Sequence, residues 1–176
     1  MIIELVGKQG AGKSEICSIL RDRNFHSIEI SDTVRQLLPQ NCDINKFTIS
    51  MMRKNGKDVF ARMAMDKIKH TNNDVTITVK SRTDSEYLRE NLPNLFVVAV
   101  DVPIDVRLTR VLRKTKSSQD KPNTLKEFLK KEKDEIRLGI NHVMESADHR
   151  LINIGSLEEL KINVDKMIVF FRSIRT

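Results

Sequence analysis

The sequence has few aromatic residues and little glycine or proline. Only 5% of its 176 residues are aromatic, with no Trp and one Tyr, so a core must consist mostly of Ile, Leu, Val and Met. Six Gly and four Pro argue against a fibrous or low-complexity chain. With 39% hydrophobic and 31% charged residues, the composition is that of a globular protein long enough to bury one core.

Scarce cysteine and the lack of a long apolar run exclude two further classes. Cys17 and Cys42 form neither a C-x-x-C pair nor a disulfide framework, and Cys17 falls on the apolar side of a predicted helix. No apolar run approaches the roughly 18 residues of a transmembrane helix. Strand-forming residues begin directly after Met1, without a signal-peptide pattern. We therefore expect a cytoplasmic protein that makes no use of a membrane.

The charge is strongly positive, at +7. This excess favours anionic partners such as nucleotides and phosphorylated metabolites. A Lys-rich solvated surface explains the same charge equally well, so only cations that a motif places count as indications. No aromatic platform for stacked bases is visible, which argues against nucleic acid as a partner.

One motif stands out, and it spans residues 7–14 as Gly-Lys-Gln-Gly-Ala-Gly-Lys-Ser. It matches the phosphate-binding pattern G-x-x-x-x-G-K-[ST]. A predicted strand at residues 2–6 precedes it and a predicted helix from Lys13 to Asp22 follows it, as that motif requires. An incidental glycine turn is the alternative, and this context argues against it.

The motif assigns a role to each position. Glycines let successive backbone N–H groups turn inward around phosphate oxygens, and the helix N-terminus adds to that field. Lys13 is expected to reach the β and γ phosphates, and the Ser14 hydroxyl to take one position on Mg²⁺. The nucleotide-binding residues of this loop are then Gly10, Ala11, Gly12, Lys13, Ser14 and Glu15.

Strands and helices alternate along the rest of the chain. Further strands are predicted at 27–30, 75–79, 96–100 and 151–154. Helices are predicted for 13–22, from Val34, 59–70, from a capping box at Thr83, 104–113, 124–144 and after Ser156. Residues 114–123 are polar and without periodicity, which is typical of a loop. This order predicts an α/β protein with a parallel sheet covered on both faces.

Four stretches besides the P-loop resemble a known family. They are residues 31–35, 56–62, 100–103 with Arg107 and Arg110, and 138–160 in part. Together they make nearly the whole chain similar to the small P-loop kinases of the nucleoside monophosphate kinase type. The chain more closely resembles the archaeal family labelled adenylate kinase-related or dephospho-CoA kinase-related.

The resemblance implies a three-layer P-loop NTPase fold in one domain, residues 1–176. Its five-stranded parallel sheet has the order 2-3-1-4-5, with an acceptor-side segment at about 31–70 and a lid at about 113–124.

The resemblance also implies acceptor-side roles. Asp32 and Arg35 match an Asp-x-x-Arg pattern that holds the acceptor, and Arg62 matches a residue near the acceptor phosphate. The alternatives are that Asp32 only caps a helix, that Arg35 is a surface cation and that Arg62 snorkels from the core edge.

On the donor side the resemblance implies an adenine loop and a cationic lid. Asn153, Gly155 and Ser156 match the loop that lies against adenine, mostly through backbone contacts, and they also form a strand-to-helix turn. The lid cations Arg110, Arg113, Lys114 and Lys116 are expected to close over the transferring phosphoryl group. A merely solvated basic loop is the alternative.

The chain departs from the family at the end of strand three. Relatives carry Asp-Gly-x-Arg-Ser there, whereas residues 77–82 read Ile-Thr-Val-Lys-Ser-Arg. The carboxylate that orients Mg²⁺ or takes the acceptor proton is therefore missing from that place. Lys80 and Arg82 are candidates for the basic, substrate-binding role. Asp101, at the end of strand four, is the first candidate for a substitute acid and Asp32 the second; capping a helix is the alternative for Asp101.

These observations lead to two functional hypotheses. The first is a phosphotransferase that moves the γ-phosphoryl group of ATP, with Mg²⁺, to a nucleoside monophosphate such as AMP or to a related phosphorylated metabolite. The second is a catalytically degenerate module that senses adenine nucleotides. We expect a monomer or a homodimer.

Overall fold

The computed structural model describes residues 1–113 and 124–174. Its strands are β1 (Ile2–Val6), β2 (His26–Glu29), β3 (Val75–Thr78), β4 (Leu95–Asp101) and β5 (His149–Ile152). Its helices are α1 (Lys13–Arg21), α2 (Ile30–Leu37), α3 (Ile44–Asn55), α4 (Val59–Lys69), α5 (Arg82–Asn91), α6 (Ile104–Arg113), α7 (Leu125–Arg137), α8 (Ile140–Glu145) and α9 (Leu157–Ser173). No helix in these described ranges has the length and apolarity that crossing a membrane requires.

All five strands are parallel, and their order is β2-β3-β1-β4-β5, which confirms the sheet expected from the resemblance. The central strand β1 pairs with β3 on one side and β4 on the other, so that Leu5 lies opposite both Thr78 and Val98. The carboxyl ends of parallel strands meet at one edge of the sheet. The P-loop leaves β1 at that edge, where ligands bind in open α/β sheets.

Each face of the sheet carries its own apolar cluster. On one face α1 and α9 pack with side chains such as Leu20, Val164 and Phe171, and Phe171 stacks on Phe96 with ring centroids 4.3 Å apart. The other face is covered by α4, α5 and α8, whose cluster is again mostly aliphatic. This second face also buries two ionisable residues, Glu4 and Asp84.

Several predicted helix boundaries were wrong. The helix expected from Val34 begins at Ile30, so Asp32 lies in its first turn and does not cap it. The helix expected to begin at a Thr83 capping box begins at Arg82, capped by Ser81, whose Oγ accepts the Asp84 N–H at 3.1 Å. Helix α3 was not predicted. The sequence of residues 44–55 mixes polar and apolar positions and gives only a weak amphipathic face.

The long helix expected over residues 124–144 is two helices. α7 ends at Arg137 and α8 begins at Ile140, because Gly139 adopts a left-handed conformation with φ 80°. Most of the predicted lid, including Lys114 and Lys116, lies outside the described residues.

Candidate phosphate-binding cleft

The loop between β1 and α1 is shaped by two left-handed glycines, Gly10 (φ 83°) and Gly12 (φ 94°). A Cβ on Gly10 would lie 2.7 Å from the Arg107 carbonyl oxygen, and one on Gly12 would lie 2.4 Å from Asn153 Nδ2. Both positions therefore require glycine on conformational and steric grounds. Gly12 is also the N-cap of α1 and supplies no side-chain cap, so the first-turn amides suit a bound anion.

A cleft of about 1000 Å³ opens beside this loop. It brings together most of the residues predicted from the sequence: Gly10, Ala11, Gly12, Lys13, Ser14, Glu15, Arg35, Lys80, Arg110, Arg113, Asn153, Gly155 and Ser156. Donor-side and acceptor-side candidates thus share one concave site, and the size suits a nucleotide with a second small ligand.

The Lys13 side chain folds back onto its own loop. Its Nζ donates to the Gly7 carbonyl oxygen and, at 3.4 Å, to that of Lys8. Burial lowers the pKa of Lys13 to about 8, while the nearby Glu135 carboxylate opposes that shift. At neutral pH the group is therefore a poorly hydrated cation, which attracts phosphate strongly.

Arg110 and Arg113 place two guanidinium groups of α6 at the cleft. Arg110 Nη1 is buried and has no hydrogen-bond partner among the residues that the structure describes. Buried donors in proteins are almost always paired, so this one indicates a site for an acceptor from a ligand.

The loop after β5 is joined directly to the P-loop. Asn153 Nδ2 donates to the Ala11 carbonyl oxygen at 2.9 Å, so the Asn153 side chain itself fixes the loop. Ser156 caps α9 in a capping box with Glu159, as the sequence predicted. Gly155 and Ser156 line the cleft next to α1, where the resemblance expects adenine.

Two carboxylates of the cleft were not predicted. Glu29 ends β2 opposite Thr78, at the carboxyl edge of the sheet. Burial and then the charge of Glu29 raise the pKa of Cys17 to about 12, so Glu29 lies close to α1. Glu135 of α7 accepts the Gln9 N–H at 2.9 Å. The position of Glu29 at a strand end, next to residues 31–35, could have identified it from the sequence. Nothing in the helical pattern distinguished Glu135.

Four predicted site residues lie away from this cleft. Asp101 lines a separate pocket of about 190 Å³ and pairs with Arg150 at 2.8 Å, which corrects its expected place beside the P-loop metal. Asp32 pairs with Arg35 at 2.6 Å on the exposed side of α2, and of these two only Arg35 lines the cleft.

The other two residues are engaged in local ion pairs. Arg62 pairs with Asp58 at 3.4 Å and also donates to the Asn55 carbonyl oxygen. Arg82 pairs with Glu86 at 2.5 Å. The first pair joins α4 to its N-cap residue and the second lies along α5. Both arginines are exposed, so neither side chain reaches the cleft in this arrangement.

A buried ion pair connects the cleft to α7. Arg107 of α6 donates to both Glu132 oxygens, at 2.7 and 2.9 Å, and to the Gln9 carbonyl oxygen at 3.2 Å. Lys8 lies 3.2 Å from the same carboxylate. Burial alone would raise the pKa of Glu132, but the hydrogen bonds from Arg107 and Lys8 outweigh it and hold that pKa below its usual range.

The solved structures with a similar fold include several kinases. TT1252 from Thermus thermophilus is similar with a TM-score of 0.65 and 17% identity, covering 96% of each chain. Shikimate kinase from Bacteroides thetaiotaomicron is similar with a TM-score of 0.65 and 14% identity, covering 98% of each chain. At these identities the likeness shows the fold alone, and it confirms a P-loop kinase fold.

Sequence comparisons show the family. A family model described as an AAA domain matches residues 6–128. The UPF0200 protein TK1334 of Thermococcus kodakarensis is 30% identical over 96% of this chain and 96% of its own length. The family model includes the P-loop, residues 7–14, but ends before Glu135 and the loop after β5. The chain therefore belongs to the AAA-domain family and to the UPF0200 proteins, and it has the P-loop kinase fold.

Proposed function

We propose that this protein transfers the γ-phosphoryl group of ATP to a small phosphorylated acceptor, with a nucleoside monophosphate such as AMP as the first candidate. The observation that carries the proposal is the distribution of cations in one cleft. Lys13, Arg110 and Arg113 lie on the P-loop and α6 side, and Arg35 and Lys80 lie on the side of α2 and β3. A site for one nucleotide alone needs only the first group.

The P-loop would hold the donor phosphates. Amides at the start of α1 and the Lys13 ammonium suit two or three phosphate groups, and Arg110 Nη1 offers a further donor. As charge spreads over the transferred group, fixed cations in the cleft stabilise it without reorganising. Lys13 and Arg110 are therefore the groups most directly engaged in catalysis.

The oxygen groups in the cleft fit Mg²⁺. This ion keeps several waters and usually takes one or two protein oxygens together with substrate phosphates. Ser14 and Glu29 both line the cleft, and their hydroxyl and carboxylate oxygens would hold it directly or through water. When bound, Mg²⁺ neutralises charge on the donor phosphates. We propose that Glu29, from the end of β2, supplies the carboxylate that is missing at the end of β3.

The acceptor would lie between α2 and the end of β3. Arg35 and Lys80 are the cations nearest to that position, and they suit the phosphate of the acceptor. Glu29 lies opposite Thr78 of β3, two residues before Lys80, and lines the same cleft, which also suits it to orient the attacking oxygen.

A coupled assay of acceptor-dependent ADP release would test the proposal. The panel contains AMP, the other nucleoside monophosphates and dephospho-CoA. We expect turnover with at least one acceptor, lowered roughly 10- to 100-fold in Glu29→Gln, which loses the metal-orienting carboxylate. Asp101→Asn, which alters only the separate pocket, should change turnover less than twofold.

An adenine-nucleotide sensor is the second candidate function. The lack of a carboxylate at the end of β3 favours it, since the family that the sequence resembles carries an acidic residue there. Tight binding of ATP or AMP without turnover in any acceptor reaction would support the sensor and exclude the transferase.

A further inference from the structure

Helix α7 contacts the P-loop through two carboxylates that are one turn apart. Glu132 is satisfied by Arg107 and Lys8, both of which it contacts as an ion pair. Glu135 differs, because its Oε2 accepts the backbone N–H of Gln9, at 2.9 Å, within the phosphate loop itself. A carboxylate of the protein thus occupies a loop amide of a motif that binds anions.

The same carboxylate acts on Lys13. Among the charged groups around Lys13, Glu135 has the largest effect, and it favours the ammonium form. A half-buried anion therefore lies between the outer part of the loop and the lysine that reaches the terminal phosphates. It imitates the charge and the acceptor atoms of a phosphate at that point.

The order of the loop indicates which phosphate would meet this carboxylate. The residues from Gly10 to Ser14 lead into the N-terminus of α1, where the inner phosphates of a nucleotide are held. Gln9 lies at the opposite, outer end of the loop. Two phosphates can fill the inner positions without reaching the Gln9 N–H, whereas a third extends toward it and toward Lys13.

We propose that Glu135 is a specificity-determining residue that makes the cleft distinguish a nucleoside triphosphate from a diphosphate. One backbone N–H donates to one anion at a time, and a phosphate next to a carboxylate is repelled by it. A diphosphate leaves the Glu135–Gln9 hydrogen bond in place, but a third phosphate must displace it. This inference rests on the proposed nucleotide-binding function and adds to it a residue outside the P-loop.

Displacement has a structural consequence for α7. With a diphosphate bound, α7 keeps both of its contacts with the loop, through Glu132 and Glu135. With a triphosphate bound, only the Glu132 contact remains. The number of phosphates would therefore determine how firmly α7 is attached to the P-loop.

Isothermal titration calorimetry with ATP and with ADP, both with Mg²⁺, would test the proposal on the full chain. Glu135→Gln keeps the side-chain shape and removes the charge, and Glu135→Ala removes both. We expect ATP affinity to rise about fivefold in Glu135→Gln, the size expected when the charge-assisted hydrogen bond to Gln9 becomes a neutral one, and ADP affinity to change less than twofold. Glu135→Ala should raise ATP affinity at least as much.

Asp134→Asn is the matched control, because it removes the same charge from the next position of α7. Asp134 is exposed and pairs with Arg137 at 3.5 Å, so this variant should not alter the ratio of the two affinities. Equal changes for ATP and ADP, or a loss of ATP affinity in Glu135→Gln, would overturn the inference and leave nucleotide binding intact. If the unmodified protein binds neither nucleotide, the proposed function fails as well.

Discussion

The P-loop and the interior beneath α5 both bury ionisable groups, with opposite consequences for pH. At the P-loop, burial lowers the pKa of Lys13 to about 8. Between β1 and α5, burial raises the pKa of Glu4 to about 7, against the opposing influence of Ser85 and Arg89. Burial likewise raises the pKa of Asp84 to about 6, although the Ser81 hydroxyl donates to it at 2.6 Å.

The two regions make the free energy of unfolding depend on pH in different intervals and with opposite signs. The unfolded chain releases the Glu4 proton near 4.5, while the folded state keeps it until about 7, so the free energy of unfolding falls with rising pH in that interval. Lys13 is protonated in the unfolded chain up to about 10.5, so the same free energy rises with pH between about 8 and 10.5. Most of both desolvation costs is present between pH 7 and 8, where at least half of the Glu4 groups are ionised and at least half of the Lys13 groups are cations.

The largest effect should come from the apolar cluster under α1 and α9, which contains neither Glu4 nor Lys13. Phe171 is fully buried and stacked on Phe96, so Phe171→Ala should lower the free energy of unfolding by about 4 kcal/mol. Urea unfolding at pH 5 and pH 8 would measure it. We expect the same loss of free energy at both pH values. A clear difference would show that this apolar cluster is coupled to the ionisable groups of the other regions.

Glu4→Gln should show the pH dependence of the other face. Since Gln does not ionise, the variant should gain about 3 kcal/mol over the unmodified protein on going from pH 4 to pH 8. Urea unfolding across that range would measure the gain. Glu90→Gln, at an exposed position of α5, serves as control. A gain that does not depend on pH would show that Glu4 is not the group that titrates.

Lys13→Met should separate function from stability at the P-loop. We expect nucleotide binding to disappear from calorimetry, while the free energy of unfolding at pH 7 rises by about 1 kcal/mol, a figure reduced for solvent screening of this half-buried group. Thermal unfolding without ligand would show the second effect. A destabilised variant would mean that the Lys13 hydrogen bonds to Gly7 and Lys8 outweigh its desolvation.

The smallest effect concerns protons taken up on binding. At pH 8 about half of the Lys13 groups are neutral in the free protein, and a bound phosphate favours the charged form. Binding of Mg-ATP should therefore take up about half a proton at pH 8 and almost none at pH 6.5. Calorimetry in two buffers of different ionisation enthalpy would measure this. Equal uptake at both pH values would contradict the low pKa of Lys13.

The backbone of the site could be predicted from the sequence better than its side chains. The P-loop motif demands glycine at positions where a Cβ would collide with the Val100 carbonyl oxygen or with Asn153, so residue type determined geometry there. The sheet order followed from the resemblance. The break at Gly139 could not be read from the periodicity, since Phe128 and Ile140 continue one apolar pattern across it.

The carboxylates were the weakest part of the prediction. Asp101 was expected at the metal because strand four adjoins the P-loop strand, but its side chain pairs with Arg150 in another pocket. Glu135 is far from the loop in sequence and meets Gln9 only through the packing of α7. Which side of a strand end or helix a charge occupies depends on tertiary contacts, which a single sequence does not supply.

The Arg107–Glu132 pair fixes the two helices that flank residues 114–123. Because Arg107 also holds the Gln9 carbonyl oxygen, both ends of that segment are anchored to the P-loop independently of what lies between them. Changes in the length or composition of the intervening chain should therefore leave the position of the P-loop unchanged. Variation among relatives should then concentrate between the two anchors, and grafting a segment from another member there should leave donor binding unchanged.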